Sequence, residues 1–196
     1  DRLEDIFAKM EKNKLESGSI EKMDSYDIEF ENVGFKYEEG VNVLSDFNLK
    51  LEAGKVYALV GSSGSGKSTI AKLISGFYPV SSGQLKIGGR DIKEYTSKVL
   101  ERNVAFVFQK SKLFKTSIYE NVRLARPESS YEEVMRALNM AMCSSILDKF
   151  ETREETIIGA KGVHLSGGEM QRIAVARAIL KDAPIVILDE ASAASD

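Results

Sequence analysis

Cysteine and histidine are almost absent from this sequence of 196 residues, which holds one of each, Cys143 and His164. A single cysteine cannot form an internal disulfide, and this usage fits a reducing compartment. One histidine and one cysteine cannot assemble a zinc site, and no Ser-His-Asp arrangement is indicated. We therefore expect Cys143 to be a small buried apolar residue and His164 to be structural or to lie in a loop.

Long apolar runs and an excess of positive charge are also missing. No stretch approaches the roughly 18 apolar residues that a membrane-spanning helix needs, and the N-terminus has no signal-like segment. The net charge is −3, from 27 basic and 30 acidic residues, so no large positive field for phosphate backbones is expected. These absences predict a soluble chain and disfavour nucleic acid as a partner.

The opening segment has the pattern of a short amphipathic helix followed by a polar linker. Apolar residues at i, i+3, i+4 and i+7 share one helix face, namely Leu3, Ile6, Phe7 and Met10. Residues 12–25 are polar and predict a linker. We therefore expect residues 1–25 to precede a globular domain that begins near Tyr26.

Apolar patterns in the rest of the chain predict an α/β fold. Alternating patterns at 28–37 and 43–51 are typical of half-exposed antiparallel strands. Continuous apolar runs at 56–60 and 185–188 are typical of strands buried on both faces of a mostly parallel sheet. A short strand pattern and three helical patterns lie between these runs, at 104–108, 117–125, 131–142 and 169–180. The sequence therefore predicts a mostly parallel core sheet, an antiparallel β portion and a helical insert.

A glycine-rich segment after the first apolar run fits the pattern G-x-x-x-x-G-K-S. Its members are Gly61, Ser62, Ser63, Gly64, Ser65, Gly66, Lys67 and Ser68, and Thr69 continues the set into the following helix. Such a loop lets successive backbone N–H groups point at phosphate oxygens beside the positive end of a helix. Lys67 adds a mobile positive charge, and the Ser68 hydroxyl is a hard oxygen ligand for magnesium. This phosphate loop, residues 61–68, predicts binding of ATP with Mg²⁺ rather than a simple turn.

Two carboxylates, Asp189 and Glu190, end the second apolar run. Ligand sites of parallel sheets usually lie at the carboxyl ends of strands. We expect Asp189 to hold magnesium through water and Glu190 to activate the water that attacks the terminal phosphate. A solvated turn would explain this segment equally well by itself, and the phosphate loop upstream favours the metal site.

The heptapeptide LSGGEMQ, residues 165–171, opens a helix. Ser166 and Glu169 have the spacing of a capping box, in which each side chain bonds a backbone N–H group of the other residue. Because it lies between a phosphate loop and an acidic strand end, the heptapeptide also resembles the signature motif of the ABC ATPases. The resemblance covers residues 26–196 and implies a P-loop NTPase fold of the ABC type.

This resemblance implies a division of labour along the chain. Residues 26–109 and 181–196 would form the nucleotide-binding α/β core, and residues 110–180 the helical subdomain. Tyr37 resembles the aromatic residue that stacks on adenine, a contact worth roughly 1–3 kcal/mol in comparable base stacking. Gln109 resembles the family's glutamine that reaches magnesium and the attacking water, so that it joins Lys67 and Glu190 as a catalytic candidate.

The resemblance also implies a partner. Ser166, Gly167 and Gly168, with Glu169, would bind the nucleotide of a second ABC ATPase domain, and the two domains would close head-to-tail around two ATP molecules. The physical chemistry agrees, because a helix N-terminus flanked by glycine is a second anion site for which one triphosphate has no obvious need.

Two segments resemble parts of exporter-type half-transporters. Residues 1–25 resemble the connection to a membrane domain, and residues 156–162 resemble a loop that touches it, although Ala160 replaces the usual glutamate. Asp196 matches an aspartate that crosses the dimer interface, with Ser195 in place of the usual leucine. We expect a transmembrane domain as partner, and a location on the cytoplasmic face of a bacterial membrane.

The family's switch histidine is expected beyond Asp196, so the sequence is interpreted as truncated at its C-terminus and weakly active or inactive as it stands. Two alternatives to a transport motor remain. A soluble ABC ATPase would share the site residues but should carry tandem domains or basic extensions, and neither is visible here. A regulatory domain that only binds ATP is opposed by Glu190, since degenerate sites commonly lose that carboxylate.

Overall fold

The computed structural model of the chain describes residues 18–37, 41–108, 111–159 and 162–189. The chain divides into two compact units, residues 1–103 and 104–196. Within the described ranges, no helix is both long and apolar enough to cross a membrane. The amphipathic helix expected over residues 3–10 lies outside them.

The first unit is built on an antiparallel sheet with the strand order β2-β1-β3-β4. Its strands are β1 (Ile28–Phe35), β2 (Leu44–Leu51), β3 (Ser82–Ile87) and β4 (Arg90–Asp91). Ile28 and Phe30 are buried, and after them Val33 and Phe35. The alternation shifts by one residue at Asn32, whose φ is 49°, where the pairing of β1 with β2 also shifts. The antiparallel strands expected in this region are confirmed.

Gly18 and Ile20 are hydrogen-bonded through their backbones to residues 94–96 of the first unit. The N–H of Gly18 donates to the carbonyl of Tyr95 at 3.0 Å, and that of Ile20 donates to the carbonyl of Glu94 at 2.9 Å. A Cβ on Gly18 would lie 2.0 Å from the Glu94 oxygen, so this approach requires glycine. Polar composition indicates exposed side chains and does not reveal such backbone bonds, and the assignment of residues 1–25 to an amphipathic helix and linker stays a prediction.

The apolar run at 56–60 forms no strand. Val56 is fully exposed and Val60 is 92% exposed. Among the described residues of the first unit no strand pairs with this run, and the Tyr57 hydroxyl instead accepts a hydrogen bond from the N–H of Glu52 at 2.9 Å. The strand prediction is wrong here, because an apolar run indicates a preference for burial, whereas a strand also needs a neighbouring edge to bond.

Helix α1 (Lys67–Ile74) begins with the last two residues of the phosphate loop and buries Ile70, Leu73 and Ile74. It ends at Gly76, whose φ is 71° and whose N–H donates to the carbonyl of Leu73 at 3.0 Å. A left-handed glycine at this position is a common way to end a helix, and the expected end near Gly76 is confirmed. Helix α2 (Ser97–Asn103) completes the first unit.

The second unit is mainly helical. Its helices are α3 (Ile118–Arg123), α4 (Tyr131–Met140), α5 (Ser144–Leu147) and α6 (Gly167–Lys181). They pack around one apolar core in which Ile118, Leu138 and Ile173 are fully buried. Cys143 is buried in the same core, and burial raises the pKa of its thiol to about 11. Cys143 is therefore the buried apolar residue that the sequence predicts, and His164 lies in an exposed loop.

Two parallel strands, β5 (Val104–Val107) and β6 (Ile185–Leu188), pair in the second unit. Both strands were expected from the sequence, but Val186 and Leu188 are 52% and 55% exposed. The expected burial of this run on both faces is therefore wrong, because within the second unit the described sheet has only these two strands. The antiparallel sheet, the parallel pair and the helices together give an α/β fold with a helical region.

Candidate functional site

The phosphate loop is shaped by two glycines in the left-handed region. Gly64 has a φ of 81° and Gly66 a φ of 88°. The left-handed backbone favours glycine at Gly66, and a Cβ there would also crowd Cδ2 of Leu44 on β2 at 3.1 Å. Gly66 directly precedes α1, and this geometry turns the backbone sharply into the helix N-terminus.

Lys67 bends back over the loop that precedes it. Its ammonium donates to the carbonyl oxygens of Gly61 at 2.9 Å and Ser62 at 2.8 Å, and to Oγ of Ser65 at 3.3 Å. A Cβ on Gly61 would lie 2.9 Å from that same Oγ. The loop therefore holds a positive charge beside the N-terminal backbone N–H groups of a helix, and this combination fits a phosphate group.

Tyr37 is anchored to α1 by its hydroxyl, which lies 3.0 Å from Oγ1 of Thr69. Its ring meets Phe35 and Tyr78 edge-to-face at centroid distances of 4.8 and 5.2 Å. The ammonium of Lys72 lies 5.7 Å from the ring centroid. Tyr37 remains 41% exposed, so a ring of fixed orientation is presented to solvent beside the helix that follows the phosphate loop.

Thr69 and Ser68 occupy the first turn of α1. The side chain of Thr69 is buried and engaged by Tyr37, whereas Ser68 is half-buried. The Ser68 hydroxyl and the Asp189 carboxylate are hard oxygen donors, and their chemistry fits magnesium. Among the described residues there is no group of three or more His, Cys, Asp or Glu that could hold a metal ion.

Asp189 directly follows β6, and its N–H donates to the carbonyl of Val107 at 3.0 Å. This bond extends the parallel pairing by one residue and fixes the backbone at the carboxyl end of the strand. Gln109, Glu190 and Asp196 lie outside the described residues, as does Ala160.

The signature segment, residues 165–171, begins helix α6 with the expected capping box. Oγ of Ser166 accepts from the N–H of Glu169 at 3.3 Å, and Oε2 of Glu169 accepts from the N–H of Ser166 at 2.8 Å. Ser166 and Gly167 are exposed, and a Cβ on Gly167 would meet no described atom within 4 Å. Gly167, the first helical residue, therefore presents its backbone with no side chain and no described atom over it, while the Ser166 and Glu169 side chains cap the N–H groups of Glu169 and Ser166.

Glu169 has a second partner that the sequence did not reveal. The ammonium of Lys149 lies 2.6 Å from Oε1 of Glu169, and Glu169 is 7% exposed. The bonds from Lys149 and from the Ser166 N–H lower the pKa of the Glu169 carboxyl to about 2. The two residues are 20 positions apart, with no periodic pattern connecting them, so nothing in the sequence could have identified the pair.

Gln171, in the same segment, is 5% exposed, and its Nε2 has no hydrogen-bond partner among the described residues. Sequence reasoning assigned it no role. A buried amide without a partner costs stability.

A glycine-shaped loop that presents a lysine at the start of a helix defines the class of P-loop nucleotide-binding domains. A family model described as ABC transporter matches residues 44–193 of this chain. The chain therefore belongs to the ABC transporter family. This membership makes it a nucleotide-binding ATPase domain with the fold expected from its sequence.

Several known proteins are similar to this chain. The ATP-dependent lipid A-core flippases of Escherichia coli (strain K12) and of Shigella flexneri are 45% identical over 188 residues, which cover 95% of this chain and 32% of each flippase. A solved structure of a bacterial Atm1-family ABC exporter with ATP bound matches with a TM-score of 0.85 and 34% identity, over 92% of this chain and 32% of that one. The chain thus spans about a third of the length of these relatives.

Proposed function

We propose that the chain is the motor domain of an ABC exporter, which binds Mg-ATP, pairs head-to-tail with a second ABC domain and hydrolyses ATP to drive a membrane domain. Its similarity to a flippase and to an exporter favours this function over a soluble ABC ATPase. ATP binding would use residues of this chain, whereas transport would also require a membrane domain.

The observation that carries the proposal is the open space over Gly167. Glycine costs roughly 1 kcal/mol relative to alanine in a helix interior. Gly167 has no positive φ and no close neighbour among the described residues that would require glycine. A backbone left bare and exposed at a helix N-terminus suits close approach by an anion from another molecule, and the phosphates of a partner-bound ATP have that chemistry.

Each site residue has a role in this proposal. Lys67 exchanges its bonds to the loop carbonyls for the outer phosphates, and Ser68 and Asp189 hold Mg²⁺, which neutralises phosphate charge when it is bound. Tyr37 stacks on the adenine. Glu190 accepts a proton from the attacking water, and Gln109 orients that water.

We also propose the division into an α/β core of residues 26–109 and 181–196 and a helical subdomain of residues 110–180. Residues 1–25 would lead to a membrane domain, which places the chain at the cytoplasmic face.

An apolar surface on the second unit supports a membrane-domain partner. Phe114, Leu124 and Ile157 are 62%, 51% and 52% exposed. A cavity of about 540 Å³ is lined by Phe114, Thr116, Glu120 and Leu124. Exposed apolar side chains around a cavity are typical of a protein interface. Ile157, in the 156–162 segment, is bridged through its backbone to Ser117, directly after Thr116.

The proposal is tested with the full-length protein and its Glu190→Gln variant. We expect magnesium-dependent ATPase activity from the native protein, and retention of ATP by the variant without turnover. Retention by both proteins without turnover in either would instead support a domain that only binds ATP. Activity in a protein that has no membrane-spanning segment would support a soluble ABC ATPase.

A further inference from the structure

We propose that Lys149 is a positioning residue for the ATP that a second ABC domain would present to the N-terminus of α6. By pairing with Glu169, Lys149 cancels a negative charge that would otherwise repel this ATP. This inference rests on the proposed head-to-tail function and adds a residue that lies outside the signature segment.

The charge at the end of α6 explains why a cation is needed. The N-terminus of a helix carries about half a positive charge, which favours phosphate. The Glu169 carboxylate lies in the first turn, 2.8 Å from the Ser166 N–H, and contributes a full negative charge. The two together amount to about half a negative charge. Lys149, 2.6 Å from Oε1 of Glu169, restores a net positive end.

The side chains of Glu169 and Lys149 also leave the space over Gly167 accessible to a ligand. Each carboxylate oxygen of Glu169 is engaged within the chain, one by Ser166 and one by Lys149. In this proposal Glu169 therefore acts on the partner's nucleotide through its charge and does not contact it. Lys149 reaches the carboxylate from the chain just after α5, and its side chain remains 58% exposed. The space over Gly167 therefore stays open while the charge beneath it is cancelled.

Helix α4 provides an internal comparison. Its N-terminus has the same arrangement: Ser130 and Glu133 form a capping box, and Arg126 is ion-paired with Glu133. Residues 131 and 132 after the cap are tyrosine and glutamate rather than two glycines. At α4 the ion pair with the capping glutamate therefore stabilises the helix. Of these two helices, α6 is the one in which the pair lies beside a glycine backbone without side chains.

The test uses the full-length protein carrying Glu190→Gln and measures the ATP concentration needed for half-maximal retention of ATP after rapid gel filtration. Lys149→Ala should raise that concentration by about five-fold, equivalent to about 1 kcal/mol, the size of a typical charge effect at a helix end. Lys149→Arg should restore the parent value. Glu169→Gln should rescue Lys149→Ala, because it removes the charge that Lys149 cancels.

The matched control is Arg126→Ala, which breaks the equivalent pair at α4. It should lower the melting temperature about as much as Lys149→Ala does and leave the ATP dependence of retention unchanged. The inference is overturned if Lys149→Ala retains ATP like the parent, or if Glu169→Gln fails to rescue it, since Lys149 would then support the fold or contact the nucleotide directly. If the parent itself retains no ATP, the proposed function fails and the inference fails with it.

Discussion

The hydroxyl of Tyr37 and Oγ1 of Thr69 lie 3.0 Å apart, and this contact joins the aromatic candidate for the base to the helix that begins at the phosphate loop. Both residues belong to the first unit. The contact fixes the direction of the tyrosine ring relative to α1. In the proposed function, it therefore joins the residue that would hold the base to the helix that would hold the phosphates.

Two substitutions of Tyr37 distinguish the contribution of its ring to ATP binding from that of its hydroxyl. Tyr37→Ala should weaken ATP binding by about ten-fold, since base stacking contributes roughly 1–3 kcal/mol. Tyr37→Phe keeps the ring and loses only the part-buried bond to Thr69, so we expect ATP binding to change by less than about three-fold, because the stacking surface remains. Titration with a fluorescent ATP analogue measures both. Equal losses in the two variants would show that the hydroxyl, and not the ring, matters for binding.

The local elements of this fold were predictable because each is encoded within a few neighbouring residues. The glycine pattern of the phosphate loop, the Ser166 and Glu169 capping box and the apolar faces of α3, α4 and α6 all act over one or two helical turns. By contrast, the lack of a strand at 56–60 depends on whether a neighbouring strand edge is available. The backbone hydrogen bonds of Gly18 and Ile20 likewise depend on which backbone groups lie nearby. The Lys149–Glu169 pair has the same origin, because chain folding and not sequence spacing brings its members together.

ATP binding should depend on the shape of the Lys67 side chain as well as on its charge. Its ammonium makes three short contacts with the loop, to Gly61, Ser62 and Ser65. Lys67→Ala should reduce ATP binding by more than about ten-fold, because hydrogen bonds to charged groups contribute roughly 1.5–3 kcal/mol.

Lys67→Arg is the informative companion variant, since a planar guanidinium cannot place one point donor among two carbonyls and a hydroxyl. Calorimetric titration with ATP should therefore show weak binding for both variants. Near-native affinity for Lys67→Arg would mean that positive charge alone is sufficient at this position.

The free energy of unfolding of the second unit should depend on pH through the ionisation of Glu169. The native pKa of this carboxyl is about 2, below the ordinary value of 4.5, so the folded state favours its ionised form. The resulting stabilisation is complete above about pH 4.5 and is lost as the pH falls toward 2, on the order of 2 kcal/mol for a partly exposed pair. Urea unfolding of the chain at pH 6 and pH 3 measures the change.

Glu169→Gln is the control for this pH dependence, because its amide does not titrate. Its loss of stability between pH 6 and pH 3 should be smaller than that of the native chain, with the other acidic residues contributing equally to both. An identical loss in the two proteins would assign the acid sensitivity elsewhere, for example to Glu133, whose pKa is also lowered by its capping bond to Ser130.

Two glycines that flank helix N-termini should respond oppositely to alanine. Gly66→Ala places a Cβ 3.1 Å from Leu44 at a φ of 88°, so the chain should lose about 1–2 kcal/mol of stability. Gly167→Ala meets no described atom within 4 Å and should leave the melting temperature unchanged or slightly higher. If ATP phosphates from a second domain approach Gly167, the same variant should nevertheless lose ATP retention in the full-length Glu190→Gln protein. A stable Gly167→Ala protein that retains ATP normally would remove the main support for head-to-tail pairing at this helix.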